Sequence, residues 1–158
     1  MHRITPVLAA LALAAACAPN PAPTGGGTVD ADGIRYAADT RILESFPVQL
    51  QTTVTLTNTT SAPQTLEIPG GCPVLLRAYT TAERTGEPAW DQSRDIVCTQ
   101  QVMIARLGPG ESEEVTGRAS ARDVLGDSLP NGRYYLTAVV VPNRQQVEVP
   151  AGEADLAQ

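Results

Sequence analysis

At 158 residues the chain has room for one domain of roughly 120 residues beside a targeting segment and a linker, long enough for a real core. Only 4% of residues are aromatic while 42% are apolar, so that core must be built from Val, Leu, Ile and Ala. All 11 basic residues are Arg, none forms a basic patch, and the net charge is −6. That balance argues against nucleic acid as a partner and offers no electrostatic attraction to anionic lipid. Any membrane attachment must then be covalent or apolar.

Met1-His2-Arg3 makes a short positive start, residues 7–16 form an apolar run of ten, and small residues precede Cys17. The pattern predicts a secretory signal peptide over residues 1–16. Such a run is too short to span a bilayer, which takes about 20 residues. Leu13-Ala14-Ala15-Ala16-Cys17 resembles a bacterial lipobox, with Ala14 where Leu is commoner. The resemblance implies cleavage before Cys17 and acylation of its thiol, and several acyl chains would make the anchor stable. The alternative is an ordinary signal peptide with a chance cysteine. By similarity to lipoprotein sorting rules, Ala18 in place of Asp favours the outer membrane, on its periplasmic or surface side. Residues 17–32 are then the lipidated cysteine and a flexible Pro/Gly-rich tether, holding the body on the order of 20 Å from the lipid surface. Gly25-Gly26-Gly27 is not a phosphate loop, because no strand precedes it and no GK[ST] follows.

Residues 33–150 read as the folded domain. Residues 33–38 and 42–46 are expected as first strands. Residues 48–57 give the clearest strand, with Val48, Leu50, Val54 and Leu56 alternating against Gln49, Gln51, Thr53, Thr55 and Thr57. Asn58-Thr59-Thr60-Ser61-Ala62-Pro63 breaks it as a turn, and residues 64–68 alternate again up to Pro69-Gly70-Gly71. Further strands are expected at 74–79 and 96–107, with a turn on Gly86 between them. Leu107-Gly108-Pro109-Gly110-Glu111 is a turn, residues 112–119 an exposed edge strand, and residues 121–129 leave room for a helical turn. Residues 133–141 are apolar on both faces and so central, residues 147–149 close the sheet, and 151–158 are expected to fray. Seven or more short strands with turns every 8–12 residues describe an all-β fold, an antiparallel β-sandwich of the immunoglobulin-like kind. Leu129-Pro130-Asn131-Gly132-Arg133-Tyr134 resembles a tyrosine corner of such domains, in which the Tyr134 hydroxyl ties back to an upstream backbone group; a plain buried tyrosine is the other reading.

Three cysteines look odd in an exported chain until Cys17 is assigned to lipid, after which Cys72 and Cys98 pair as a disulfide. Metal binding by the two thiols lacks co-ligands, since the one histidine is His2. With no Lys and no His after the leader, Ser-His-Asp and Cys-His nucleophilic sites, His-based zinc sites and Lys Schiff bases are excluded. No catalytic residue, metal ligand or cofactor is expected, and the chain does not read as an enzyme. Asp91 and Asp95 beside Trp90 could be cast as a glycosidase pair near a sugar-stacking ring. The stronger reading of residues 90–95 is a polar loop with its charges in water, and Trp90 as a core plug near the disulfide. Glu111, Glu113 and Glu114 lack the spacing of an EF-hand loop and read as a solvated edge.

With those residues in place, the body resembles the BsuPI family, the bacterial intracellular proteinase inhibitor domain. The likeness runs over residues 48–141 and rests on several short pieces. These are Val54-Thr55-Leu56-Thr57-Asn58 at the end of an early strand and Gly86-Glu87-Pro88-Ala89-Trp90-Asp91-Gln92-Ser93 at a Gly-x-x-x-Trp-x-x-Ser region. Thr99-Gln100-Gln101, Leu107-Gly108-Pro109-Gly110-Glu111 and Gly132-Arg133-Tyr134-Tyr135 follow in order. The resemblance implies an immunoglobulin-like fold and a non-catalytic, membrane-anchored protein that binds another protein as a proteinase inhibitor. The expected contact surface is Trp90, Asp91 and Arg94, held by the disulfide. Alternatives are an accessory module of a cell-envelope assembly and, behind it, carbohydrate binding through Trp90.

Overall fold

The structure is a computed structural model that describes residues 25–43, 45 and 47–158. The expected signal peptide, Cys17 and the first part of the tether lie outside the described residues, as do Glu44 and Phe46 of the strand expected at 42–46. Alternating apolar residues give the first sheet. Strands β1 (Thr28–Ala31), β2 (Ile34–Leu43), β3 (Gln49–Asn58) and β8 (Ser112–Ser120) lie antiparallel in the order β1-β2-β3-β8. On β3, Leu50, Val54 and Leu56 are fully buried and Thr53, Thr55 and Thr57 face outward, as period two requires. The second sheet has the order β10-β9-β5-β6, with β5 (Leu75–Tyr79), β6 (Trp90–Asp91), β9 (Gly132–Val140) and β10 (Val147–Leu156). A separate antiparallel pair, β4 (Gln64–Pro69) with β7 (Val102–Leu107), closes one flank. Leu50, Leu56, Leu76, Leu136, Val140, Val149, Ile68 and Leu107 from all three sheets meet in one core. The chain is thus an antiparallel, immunoglobulin-like β-sandwich.

β9 is buried on both faces from Leu136 to Val140, the central position its composition implies. The edge strand expected at 112–119 is β8, beside β3 alone. A one-turn helix α1 (Ala121–Leu125) follows, its Ser120 side chain accepting from the Asp123 amide while the Asp123 carboxylate accepts from the Ser120 amide. The Tyr134 hydroxyl donates to the Pro130 carbonyl at 2.7 Å, so the tyrosine corner is formed.

Several boundaries differ from the sequence reading. The tail is not frayed: β10 continues through a bulge to Leu156, burying Ala151, Ala154 and Leu156. The tether ends earlier than residue 32, because β1 pairs with β2. Ahead of it, the Ala38 amide donates to the Gly27 carbonyl and the Gly27 amide to the Pro150 carbonyl, so the chain wedges between β2 and β10. A Cβ on Gly26 would lie 1.6 Å from the Ala38 carbonyl oxygen, so Gly26 lets the backbone pack closely against β2. Asn58, expected in a turn, is fully buried at the end of β3. Its amide donates to the carbonyls of Ala62, Leu107 and Gly108 and its oxygen accepts from Thr60, which joins two turns to one strand.

Among the described residues, the buried Thr137 hydroxyl has no hydrogen-bond partner. A buried hydroxyl left unpaired costs about 1–3 kcal/mol. Thr137→Val keeps the shape and removes the polar atom, so it should raise stability by about 1 kcal/mol, read as a higher melting temperature. A fall would show that the hydroxyl is partnered in solution.

Candidate functional site

The site grows from the segment between β5 and β7. Cys72 and Cys98 are bonded, with their Cα atoms 5.5 Å apart across a separation of 26 residues. Trp90 pairs opposite Ala78 and Asp91 opposite Arg77 on the short strand β6, so the chain re-enters the second sheet halfway along the segment. A single 3-10 turn, Gln92–Arg94, carries it out again.

Each of the first three residues of this excursion is used inward. Trp90 is buried in the core, and its indole N–H donates to Asp95 at 3.0 Å. Asp91 is buried and accepts from the Arg77 guanidinium at 2.8 Å and from the Ser93 amide and hydroxyl at 3.0 and 2.7 Å. Arg77 also pairs with Glu148 on β10, so one guanidinium ties the two edges of the second sheet. Burial alone would raise the Asp91 carboxyl; the Ser93 hydroxyl and amide and the Arg77 guanidinium outweigh it and hold the carboxyl below the ordinary carboxylate value. Gln92 is buried, accepts from the Leu76 amide on β5 at 3.0 Å and donates to the Arg118 carbonyl on β8 at 2.7 Å. It therefore joins the two sheets.

These contacts correct the sequence reading of residues 90–95 at Asp91 and Gln92, which are buried, while Ser93, Arg94 and Asp95 are exposed as a polar loop with its charges in water. Trp90 is the core plug that was expected. Of the expected contact trio Arg94 is exposed, where it pairs with Glu87 at 2.9 Å, while Trp90 and Asp91 are buried and hold the segment in place. Asp91 and Asp95 are both committed, to Arg77 and Ser93 and to the Trp90 indole, and the ring has no open face on which a sugar could stack.

The residues that do face outward come next. The strand expected at 96–107 begins only at Val102, and the six residues before it form an irregular loop. Ile96, Val97, Val102 and Ile104 are the exposed large apolar residues among the described residues, all within one short stretch. Val97 is 96% exposed. Isoleucine, valine and methionine at 96–104 favour a strand by composition, which hid the loop from sequence reasoning. The available signal was Ile96-Val97 set directly between a polar turn and Cys98. Beyond the loop, β7 pairs with β4 on one edge, and among the described residues no strand covers its other edge. An open groove bounded by Ile68, Pro69, Gln101, Val102, Val141 and Arg144 lies at that end. Among the described residues no group of His, Cys, Asp and Glu is placed to hold a metal ion, and no helix is long and apolar enough to cross a membrane.

Fold and site together define a disulfide-bonded β-sandwich with an exposed apolar loop. The BsuPI family, described as intracellular proteinase inhibitor, matches residues 39–145, and the chain belongs to that family. No curated protein matches the chain. Among solved structures, a crystal structure of a Bordetella pertussis protein assigned as ApaA is 20% identical, covers 79% of this chain and 93% of its own, and superposes with a TM-score of 0.37.

The depressed Asp91 carboxyl sets a pH dependence. Unfolding returns it to about 3.9, so its stabilisation is complete above that value and is lost as pH falls through the lower folded value. Asp91→Asn should cost about 2 kcal/mol at pH 7 from weakened charge-assisted hydrogen bonds. That difference should shrink below about pH 4. Urea titrations at pH 7 and pH 3 check it; an equal loss at both would mean that Asp91 contributes no charge-dependent stability.

Proposed function

We propose that this chain is a non-catalytic, lipid-anchored protein whose sandwich captures another protein, a protease that it inhibits, through residues 96–104. The observation that carries the reading is that, among the described residues, the exposed large apolar side chains are confined to that one stretch. Monomeric proteins rarely gather apolar surface without a use for it, and this stretch is pinned at its base by a disulfide and by Gln92. Family membership supplies the kind of partner. The carboxylates that a hydrolase would need here are occupied by structural partners, which supports a binding role over a catalytic one.

The family description says intracellular, whereas a disulfide persists in an oxidising compartment. Export by the signal peptide at residues 1–16 and acylation of Cys17 fit the disulfide, with the body following on a tether. Palmitate should label the full-length protein in a bacterial host and fail to label Cys17→Ser; equal labelling of both would remove the anchor from the account.

Oxidised protein spanning residues 18–158 should inhibit one protease class with one-to-one stoichiometry. Reduction, or Cys72→Ser with Cys98→Ser, should remove about 3–4 kcal/mol of stability and weaken inhibition. Absence of inhibition across serine, cysteine and metalloproteases would refute the inhibitor reading.

A further inference from the structure

The inhibitor reading leaves open how the loop meets an enzyme, and the supports on either side of Val97 narrow the answer. On its N-terminal side, the amides of Asp95 and Ile96 both donate to the Gln92 carbonyl, and the Asp95 carboxylate accepts from the Trp90 indole. On its C-terminal side, Cys98 is bonded to Cys72, and the Gly70 amide donates to the Gln101 carbonyl at 2.7 Å. Thr99 packs so closely on Gly71 that a Cβ there would lie 2.5 Å from the Thr99 amide nitrogen and 2.6 Å from its carbonyl oxygen. Among the described residues the non-glycine positions with positive φ are Asp32, Arg84, Asn143 and Arg144, so none lies in this loop. Val97 is the one residue between these two sets of anchors, and it is 96% exposed.

From this arrangement we propose that Val97 fills the primary specificity pocket of a serine endoprotease, with the loop bound across the active site as a slowly hydrolysed substrate. The inference rests on the inhibitor reading above. An enzyme that reads mainly the side chain before the scissile bond suits a loop that offers one side chain between fixed supports. The pocket that accepts valine is the small aliphatic type, as opposed to the acidic pocket that takes Arg or Lys or the deep slot that takes aromatic rings. Valine is stiff about χ1, and anchored neighbours leave little backbone freedom to lose on binding. Preorganisation of this kind raises affinity without added area. Val102 and Ile104 extend the contact along β7 towards the roughly 800 Å² per partner of a standard interface.

The disulfide also explains why such a loop would inhibit instead of being consumed. In the enzyme's own reaction, water adds across the Val97–Cys98 amide, leaving a carboxylate on Val97 and an ammonium on Cys98. Cys98 stays tied to Cys72, and Ile96 stays held to Gln92. The new ends therefore remain in place at high effective concentration, where the reverse reaction competes with release.

The test compares oxidised wild type, Val97→Arg and Val97→Asp against three serine proteases, with small aliphatic, aromatic and basic primary specificity. Val97 is solvent-exposed, so the variants should melt at the wild-type temperature. Wild type should inhibit the first enzyme best. Val97→Arg should lose it by roughly 100-fold or more while gaining inhibition of the basic-specific enzyme. Val97→Asp should inhibit none of the three. Long incubation of wild type should produce a new N-terminus at Cys98. Inhibition indifferent to residue 97, or cleavage at another bond, would overturn this inference and leave the inhibitor reading standing. If wild type inhibits no protease of any class, the inhibitor reading falls and this inference with it.

Discussion

The path of the chain from the core out to the exposed loop depends on the buried carboxamide of Gln92. Its oxygen and nitrogen are satisfied from opposite sheets, by the Leu76 amide and the Arg118 carbonyl. Each such bond contributes about 1 kcal/mol net, but leaving either backbone group unpaired in the interior would cost about 1–3 kcal/mol. The interaction is therefore worth more as a constraint than as a source of stability. With Trp90 seated in the core and Asp91 locked to Arg77, three consecutive side chains fix where the chain turns outward. The loop that follows has its origin set to within a hydrogen bond, and the disulfide sets its return.

This division buries the two most eye-catching residue types of the segment. An indole and a carboxylate are what a binding surface often shows, yet here both are spent on making a base. The large apolar side chains left on the described surface are aliphatic, Ile96 and Val97 in the loop and Val102 and Ile104 on the outer face of β7, set among exposed polar residues such as Arg94, Thr99 and Gln100. Exposed aliphatic side chains invite self-association, and among the described residues no strand covers the second edge of β7. The net charge of −6 works against that, since like-charged copies repel.

Much of the sandwich was legible in the sequence because period-two alternation is a local signal. Residues 48–57, the edge strand at 112–119, the central strand at 133–141 and the Pro-Gly turn at 108–110 all follow from composition and spacing. The disulfide followed from counting cysteines, and the tyrosine corner from one short motif. The site was only half legible. Asp91 and Gln92 look like solvent-facing polar residues unless their distant partners Arg77, Leu76 and Arg118 are known, and no local pattern supplies those. The stretch from Ile96 to Ile104 reads as strand because propensity ignores the cysteine bond and the close approach of Thr99 to Gly71 that interrupt it. Where β10 ends was misjudged for a similar reason: Ala151 and Ala154 carry little hydrophobic signal but are buried, on a strand that packs against β2 and β1.

The central claim is that residues 90–92 are a fixed base and residues 96–104 the contact face. The most direct measurement is amide hydrogen exchange, resolved along the chain, on the oxidised protein alone and in complex with a captured protease. The account predicts that residues 90–92 exchange slowly in both states, while residues 96–104 exchange readily when free and become protected on binding. Protection confined to another region, such as the outer face of β2 and β3, with residues 96–104 unchanged, would contradict it.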